Sequence, residues 1–296
     1  MAAQKQDNWS SEAYQNSASF VPKLATKVMQ WLDPQKDDVI LDLGCGGTLS
    51  SPRYSTQQST YHHPDGVLDL QIGQVLSQGS GTLHGIDGSP AMIEASKKAT
   101  AETGLQGKCT FEVLDATELL SHPSLPNGTF TKVFSNAAMH WILRPPARRE
   151  TFFRGVRDAL APGGRFVFEM GGLGNVCEVR AALLSAIGRR IGLAKTLEVE
   201  PWFFPDEKWA REMVEVTVGG MEVERVEREW RPTDADTGGI EGWVRLMAKQ
   251  FFEALPEGER EGCIREVVDV LEVVCAKPGG GYMFSYVRLR AVVRKV

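Results

Sequence analysis

Hydrophobic positions along this chain follow two different periods, and their alternation predicts the order of the elements. Val39–Leu43 is a run of β-branched and leucyl residues, typical of a short strand covered on both faces. Residues 18–32 place apolar side chains three and four positions apart, which predicts a helix with one apolar face. Further strands are predicted at residues 82–87, 109–115, 130–136 and 165–170. Helical patterns separate these strands, so we expect a doubly wound parallel sheet.

The last third of the chain follows a less regular order. Helical periods occur at residues 175–191, 206–216, 243–255 and 264–275. Two strand-like segments, residues 221–230 and 282–293, lie among these helices. Two helical segments precede the strand at 221–230 and two more separate it from the strand at 282–293, so this third does not continue the regular alternation.

The first strand runs directly into a glycine turn. Gly44 and Gly46 allow the backbone to turn tightly and to approach a ligand where any Cβ would clash. Asp42 lies two positions before the first glycine. A buried strand followed by such a turn is typical of a nucleotide-type site at the carboxyl edge of a parallel sheet.

Residues 47–64 interrupt this pattern with a polar, aperiodic segment. Leaving it out joins Gly46 to Asp65 and Gly66 and restores a continuous strand, Gly-x-Gly-x-Gly turn and helix start. The segment is either a surface excursion, which loop-closure entropy tolerates, or sequence that is not native coding sequence, such as a retained intron. Recovery of a peptide containing Tyr54 or His62 from the natural source would exclude the second interpretation.

Composition narrows the class of protein. Of the 296 residues, 42% are hydrophobic, which is enough for a buried core, and the net charge of −5 disfavours nucleic acid as a partner. No apolar run approaches the roughly 20 residues that span a bilayer, and the N-terminus lacks the apolar core of a secretory signal. The five cysteines are scattered without a Cys-x-x-Cys pair, so we expect no metal site and a reduced, cytoplasmic setting.

Five motifs in a fixed order resemble the class I S-adenosylmethionine-dependent methyltransferases over about residues 9–172. The motifs are Asp42-Leu43-Gly44-Cys45-Gly46, Gly85-Ile86-Asp87-Gly88-Ser89-Pro90-Ala91-Met92-Ile93, Asp115-Ala116, Ser135-Asn136-Ala137-Ala138 and Leu160-Ala161-Pro162-Gly163-Gly164. Residues 135–141, together with Trp9 and Tyr14, are most similar to the trans-aconitate methyltransferase-like subgroup. Asp87 follows Gly44 by 43 positions, or by 25 without residues 47–64, near the roughly 20 expected between glycine loop and ribose acid.

The resemblance implies S-adenosylmethionine as cofactor and a role for each motif. The turn at Gly44, Cys45 and Gly46 would direct backbone N–H groups at the methionine carboxylate. Asp87, followed by Gly88, would bind both ribose hydroxyls. Asp115 and the Ala116 backbone would bind the adenine amino group, and Met92 would pack on the adenine face. Asp42 would orient the glycine loop or the amino end of the cofactor. Asn136 would lie where the methionine end of the cofactor meets the acceptor. An acid at a strand end is often only a helix cap or a solvated residue, and it is the ordered set of five motifs that favours the functional interpretation.

The acceptor side is less defined by sequence. His140 is a candidate general base or substrate contact, or else a half-buried histidine that packs under the following helix. Trp141, Trp202, Arg231 and Trp243 are candidates to cover the acceptor, or else residues of a C-terminal core. If the acceptor is a carboxylate, as in the subgroup, it needs no general base, and an arginine clamp matters more than His140.

The resulting prediction is a Rossmann-like seven-stranded sheet, mostly parallel with an antiparallel last strand, and a helical C-terminal elaboration. We expect an N-terminal lid and helix at residues 1–37, a cofactor-binding core at 38–172 and a substrate-side elaboration at 173–296. The predicted reaction is in-line methyl transfer to a small-molecule oxygen, from a carboxylate or a hydroxyl. Two alternatives stay open: a nicotinamide-dependent dehydrogenase, and a methyltransferase-like binding module without activity. The acceptor's identity and the oligomeric state are left undetermined.

Overall fold

The computed structural model describes residues 25–46 and 68–296, and within them seven strands form one sheet. The strands are β1 (Val39–Leu43), β2 (Thr82–Asp87), β3 (Cys109–Val113), β4 (Phe130–Asn136), β5 (Leu160–Gly171), β6 (Met221–Asp234) and β7 (Met283–Lys295). Their order across the sheet is β3-β2-β1-β4-β5-β7-β6. β1 to β5 pair in parallel, and β7 is antiparallel to both of its neighbours. The predicted fold class, a mostly parallel seven-stranded sheet with an antiparallel last strand, is confirmed.

Helices cover both faces of this sheet. They are α1 (Thr26–Leu32), α2 (Leu68–Leu76), α3 (Pro90–Glu102), α4 (Met139–Ile142), α5 (Arg149–Ala159), α6 (Cys177–Ile191), α7 (Leu193–Val199), α8 (Glu207–Arg211), α9 (Gly239–Met247), α10 (Lys249–Glu253) and α11 (Glu257–Val274). Short 3₁₀ segments span Ala116–Ser121 and Pro146–Arg148. None of the helices in residues 25–46 or 68–296 is long and apolar enough to cross a membrane.

The alternation of side chains in β1 shows why its sequence is apolar. Leu41 and Leu43 pack with α5 residues such as Phe152 on one face, whereas Ile40 packs with α1 and α2 on the other. Both faces are therefore covered, as the run of apolar residues predicts for a central strand. Asp42 shares the face of Ile40, and its side chain is buried there at 4% exposure.

A second apolar core lies in the C-terminal third. Residues from α6, α9, α10 and α11 pack around Trp243, Phe251 and Leu271, and Phe284 at the start of β7 joins them. This cluster is separate from the two that cover the sheet. The predicted domain boundaries at 37 and 172 stay a prediction.

Some predicted helices have different limits in the structure. The segment predicted at 243–255 is two helices, α9 and α10, which break at Ala248. Met247 at the end of α9 and the pair Phe251 and Phe252 in α10 are all buried. The segment predicted at 206–216 is α8 followed by π-type turns to Val218. Residues 18–24 of the first predicted helix lie outside the described residues.

Candidate functional site

Four neighbouring strands bring the predicted cofactor residues to one edge of the sheet. Asp115 follows β3, Asp87 ends β2, Gly44 follows β1 and Asn136 ends β4, and these strands are adjacent in this order. Since the strands are parallel and about 4.8 Å apart, the carboxyl ends span roughly 14 Å. An extended ligand lying along this edge would meet all four positions.

The backbone N–H groups of the glycine turn donate hydrogen bonds to other residues of the protein. Gly44 and Cys45 both donate their N–H groups to the carbonyl of Ile86, at 2.8 and 3.1 Å. Gly46 donates its N–H to Asp87 Oδ2 at 3.0 Å. The prediction that these N–H groups face a ligand carboxylate is therefore wrong, because β2 and its terminal acid already accept from them.

Gly44 has a different reason to be glycine. Its φ of +71° lies in the left-handed region, and an added Cβ would lie 2.3 Å from Cβ of Ala138. The residue therefore allows the segment leading into α4 to approach the turn, rather than admitting a ligand. Ser135 adds a second link, because its hydroxyl donates to the carbonyl of Leu43 at 2.7 Å.

Asp87 connects the glycine turn to the start of α3. Its Oδ1 accepts from the N–H of Ser89 at 2.8 Å, while Oδ2 accepts from Gly46. Ser96 then donates to the carbonyl of Gly46 at 2.8 Å, so the turn is held from both sides. Asp87 is half-buried, and each of its carboxylate oxygens can accept more than one hydrogen bond. Ser89 caps α3 as predicted, accepting from the N–H of Met92 at 3.3 Å.

The residues predicted around the adenine have mixed environments. Asp115 is exposed, and its Oδ1 caps the 3₁₀ segment by accepting from the N–H and hydroxyl of Thr117, at 3.0 and 2.8 Å. Ala116 and Met92 are buried, whereas Gly88 is exposed with no atom within 4 Å of an added Cβ. The helix-cap interpretation of Asp115 therefore holds for one of its oxygens.

Oδ1 of Asn136 is a buried acceptor at this edge, and it has no hydrogen bond from any described residue. Buried polar atoms are normally paired, so an unpaired one is a sign of a missing ligand or solvent molecule. A ligand carrying N–H donors, such as an ammonium group, would satisfy Asn136, and the residues present fit such a group.

Sequence reasoning missed a second acid beside Asp42. Asp69, in the first turn of α2, is 1% exposed although it lies among the apolar positions of that helix. Burial raises the pKa of Asp42 well above its ordinary value, and the charges of Asp69 and Asp87 raise it further. Burial also raises the pKa of Asp69 to about 6. Both shifts favour the protonated carboxyl over the carboxylate. An acid on an otherwise apolar helix face was the available signal.

A cavity begins directly beyond Asn136. It starts at Ala137, whose φ of +55° turns the chain and whose N–H donates to the carbonyl of Glu169 at 2.8 Å. The cavity holds about 40 Å³. Its lining residues are Ala137, His140, Trp141, Asn175, Val176, Trp202, Phe204, Trp243, Met247, Tyr286 and Arg288. A neighbouring cavity of about 480 Å³ shares three of these residues, Asn175, Trp202 and Phe204.

His140 lies in the cavity wall as a neutral hydrogen-bond donor. The N–H of Gly171 donates to its Nδ1 at 3.3 Å, so the ring proton is on Nε2. Burial, followed by the positive charge of Arg288, lowers the pKa of His140 to about 3. In this tautomer Nε2 cannot accept a proton, so the geometry supports a substrate contact and not the general base that was the other candidate role.

The three predicted tryptophans meet at the cavity. Trp202 contacts Trp141 and Trp243 with ring centroids 5.9 and 6.1 Å apart, and it stacks on Phe204 at 5.9 Å. Trp243 donates its indole N–H to the hydroxyl of Tyr286 at 2.7 Å. Trp202 and Trp243 also belong to the C-terminal core. The interpretation as C-terminal core therefore holds for Trp202 and Trp243, and a role in covering the acceptor stays a prediction.

The arginine at the cavity differs from the predicted one. Arg231 forms an ion pair with Glu169 at 3.6 Å and is not among the lining residues. Arg288, on the neighbouring strand β7, lines the cavity instead. In β7 the side chains of Tyr286, Arg288 and Arg290 share one face, because side chains alternate along a strand. Two charged residues on this otherwise apolar face were the signal that sequence reasoning passed over.

Comparisons with known proteins assign the class. Residues 66–164 match the family model described as a methyltransferase domain, so the match begins just after residues 47–64. The chain is 35% identical to the uncharacterized methyltransferase C70.08c of Schizosaccharomyces pombe over 295 residues, covering 98% of this chain and 99% of that protein.

Solved structures share the fold at low identity. The YcgJ protein of Bacillus subtilis is 13% identical, with a TM-score of 0.55, over 91% of this chain and 96% of its own. Phosphoethanolamine N-methyltransferase 2 of Haemonchus contortus, solved with phosphomonomethylethanolamine and S-adenosylhomocysteine, is 15% identical with a TM-score of 0.51. That match covers 96% of this chain and 56% of the other.

The sheet order, the strand-end site and the relative that spans the whole chain define one class of protein. The chain belongs to the class I S-adenosylmethionine-dependent methyltransferases. It is an enzyme that uses S-adenosylmethionine as methyl donor, and the alternative of a nicotinamide-dependent dehydrogenase does not hold.

Proposed function

We propose that this methyltransferase transfers a methyl group to an oxygen of a small molecule held in the cavity that begins at Ala137. The observation that carries the proposal is the position of this cavity. Ala137 directly follows Asn136, the last residue of β4, at the end of the edge where the cofactor residues line up. The acceptor and the methyl donor would therefore meet at this point of the sheet.

In this proposal, each residue at the sheet edge contacts a different part of the cofactor. Asp87 binds the ribose hydroxyls, Asp115 and the Ala116 backbone contact the adenine, and Asn136 accepts from the amino group. The unpaired Oδ1 of Asn136 supports the last assignment. Met92, Gly88 and the turn Asp42–Gly46 shape the same edge. S-adenosylmethionine supplies an electrophilic methyl group on a sulfonium sulfur, so the reaction requires no nucleophile from the protein.

The chain's own contribution is alignment and the exclusion of water. The aromatic rings of Trp141, Trp202 and Trp243 form a low-dielectric wall, in which an acceptor oxygen is poorly solvated. Holding donor and acceptor in line converts a bimolecular encounter into an intramolecular step. A carboxylate acceptor reacts without a base, whereas a hydroxyl acceptor would need a proton acceptor, and His140 is the wrong tautomer for that task.

The proposal is tested by cofactor binding and by a screen of acceptors. Isothermal titration should show S-adenosylmethionine binding that Asp87→Ala weakens strongly. Carboxylic acids and phenols should then be screened with methyl-labelled S-adenosylmethionine. Label in an extracted small-molecule product supports the proposal, and cofactor binding without transfer to any acceptor favours the inactive binding module.

The same assays address residues 47–64. They should be run on the full chain and on a variant that lacks this segment. Binding and turnover by the full chain show that the segment is compatible with function. Binding by the shortened chain alone shows that the segment prevents it.

A further inference from the structure

β6 is an outer strand of the sheet, and among the described residues only β7 pairs with it. Ala235, which directly follows β6, donates its N–H to the carbonyl of Tyr282 opposite it. Because successive residues of an antiparallel strand turn their main-chain groups to opposite sides, the odd-numbered residues in this part of β6 face β7. The N–H and C=O groups of Val226, Arg228 and Trp230 therefore point away from the sheet.

The two halves of this outer edge differ. In the capped half, residues 221–223, a register shift turns the main chain of Val223 outward. Its N–H donates to Oε1 of Glu215 at 3.0 Å, and its carbonyl accepts from Nη1 of Arg211 at 3.4 Å. In the open half, residues 226–234, no described residue forms a hydrogen bond with the outward main-chain groups. The structure therefore closes one half of the edge and leaves the other accessible to a further strand.

Trp230 lies at the centre of the open half, with 61% of its surface exposed. Aromatic side chains are enriched where proteins contact one another, because they bury a large apolar area. Arg228, Glu229, Arg231 and Pro232 flank it along the strand, and charges and prolines at a sheet edge commonly prevent pairing with another chain. The open half therefore suits only a strand whose charges match its own.

A second copy of β6 matches these charges in one register. In an antiparallel pair related by a two-fold axis, one residue lies opposite its own copy, and its two neighbours lie opposite each other. Centring the pair on any charged residue between 227 and 231 places like charges opposite each other. Centring it on Pro232 opposes two residues that lack an N–H, and centring it on Val226 brings the second copy against the capped half. A pair centred on Trp230 places Glu229 opposite Arg231 and uses the open half alone.

We propose that two copies of this chain pair through the open half of β6, antiparallel about a two-fold axis at Trp230. The N–H of each Trp230 would donate to the carbonyl of the other, and the N–H of Arg228 would donate to the carbonyl of Pro232 in the second copy. Val226 and Asp234 would exchange both of their main-chain hydrogen bonds. The two sheets would then form one continuous sheet, and this inference is independent of the methyl acceptor.

The charges of the neighbouring strand are consistent with this pairing. On the face that carries Glu229, Arg288 of β7 lies in register with it, and 44% of the Glu229 side chain is still exposed. Arg231 of the second copy would lie on the other side of the same glutamate, so positive and negative residues would alternate across the joined strands. Opposite charges on adjacent strands stabilise a sheet, whereas like charges destabilise it.

Self-association is measured first, by sedimentation velocity of the full chain. We expect the mass to rise with concentration from 32.6 kDa toward twice that value, with a dissociation constant of micromolar order, because the interface is small. Trp230→Lys places two like charges at the axis and should raise the dissociation constant at least about 10-fold. The matched control is Val273→Lys on α11, where the side chain is also exposed, at 80%, and the constant should not change.

Two results of this measurement would overturn the proposal. One is a chain that stays monomeric at about 100 μM, which is the result expected if another segment of the chain or a different protein covers the edge. The other is an equal effect of Trp230→Lys and Val273→Lys on the dissociation constant.

Engineered cysteines then test the register. Residues of a hydrogen-bonded antiparallel pair have Cα atoms about 5.5 Å apart, within the range of about 4.4–6.8 Å that a disulfide spans. Trp230→Cys should therefore form a covalent dimer on mild oxidation. Arg228→Cys and Pro232→Cys should form one only when the two variants are mixed. The control is the unaltered chain with its exposed Cys177, which should form none.

The cross-links decide the question even if Trp230→Lys does not fold. If Arg228→Cys alone cross-links as readily as the mixture, the axis does not lie at Trp230 and the proposed register is wrong. Trp230 is not among the residues that line the cavity beyond Asn136, so S-adenosylmethionine binding should be unchanged in Trp230→Lys. Failure of the dimer would therefore leave the methyltransferase assignment intact.

Discussion

Replacing Gly44 by alanine tests how the glycine turn is built. The new Cβ destabilises the folded state in two separate ways. A φ of +71° is left-handed and costs an L-residue about 1–2 kcal/mol. The Cβ would also lie 2.3 Å from Cβ of Ala138 and 3.4 Å from Cδ1 of Ile142, an overlap that costs about 1–3 kcal/mol to relieve. We therefore expect Gly44→Ala to lower the free energy of unfolding by about 2–5 kcal/mol.

Two further variants separate the penalties. Gly104, after α3, has a φ of +72°, but nothing lies within 4 Å of its added Cβ, so Gly104→Ala measures the backbone term alone. Ala138→Gly in the Gly44→Ala background removes the opposing Cβ and should restore only the overlap term. Urea denaturation gives the four free energies of a double-mutant cycle, with a coupling energy of about 1–3 kcal/mol.

The coupling energy from this cycle tests whether Ala138 lies close to Gly44. A coupling energy near zero, or a loss in Gly44→Ala equal to that in Gly104→Ala, would refute the close approach of Ala138. If the approach is real, relief of the overlap also displaces the segment that carries Asn136 and Ala137. Binding of S-adenosylmethionine should then weaken in Gly44→Ala and recover when Ala138→Gly is added.

Three further predictions concern the acids and the histidine of the site. Asp87→Ala should weaken S-adenosylmethionine binding by about 100-fold, through the loss of two charge-assisted hydrogen bonds. The control is Asp37→Ala, which removes an acid that also accepts a backbone N–H, from Ser80. It should leave the affinity for S-adenosylmethionine, measured by calorimetry, unchanged. If both variants lost the same affinity, the ribose role of Asp87 would be contradicted. Burial and Arg288 lower the pKa of His140 from 6.5 to about 3. The unfolded chain therefore takes up that proton first, and stability relative to His140→Gln should fall by up to about 1.4 kcal/mol per pH unit as pH decreases from 6.5. Parallel denaturation profiles of the two proteins would show that His140 is not buried in neutral form. For Asp69 the sign is opposite, because burial raises its pKa from 3.8 to about 6. The wild-type protein should lose stability relative to Asp69→Asn as pH rises from about 4 to about 6 and show a constant difference above that, and a difference that does not vary with pH would contradict this.

Much of the cofactor edge could be predicted from local sequence. Ser89 and Pro90 specify the start of α3 because the cap bond joins residues three positions apart. The acids that end β2 and follow β3 are brought together by the pairing of parallel strands, which their apolar runs already imply. Asn136 was found in the same way, from its position after a strand.

The hydrogen bonds that these residues form could not be predicted in the same way, because they depend on contacts between distant parts of the chain. The N–H groups of the glycine turn were predicted to face a ligand, but they are bonded to Ile86 and Asp87, which lie more than 40 positions away. Gly44 is constrained by Ala138, more than 90 positions away. Sequence periodicity carries no information on such approaches, because each is set by how whole elements pack.

The acceptor side shows the same division. The aromatic residues Trp141, Trp202 and Trp243 were identified from the sequence as candidates for the acceptor side or for a C-terminal core. The sequence did not show that these three residues contact one another, because that requires α4, the loop at 201–205 and α9 to converge. The choice between Arg231 and Arg288 depended on the pairing of β6 with β7 across about 50 intervening residues.

By itself, the sequence determined the element order, the parallel sheet and the class of enzyme, because these follow from hydrophobic periods and from motifs that lie within a few residues of one another. Only the tertiary structure decided which backbone donors of the glycine turn are already bonded, that Asp69 lies beside Asp42, and which arginine lines the cavity beyond Asn136. These properties depend on the distances between side chains that long connections bring together, and no local pattern encodes those distances.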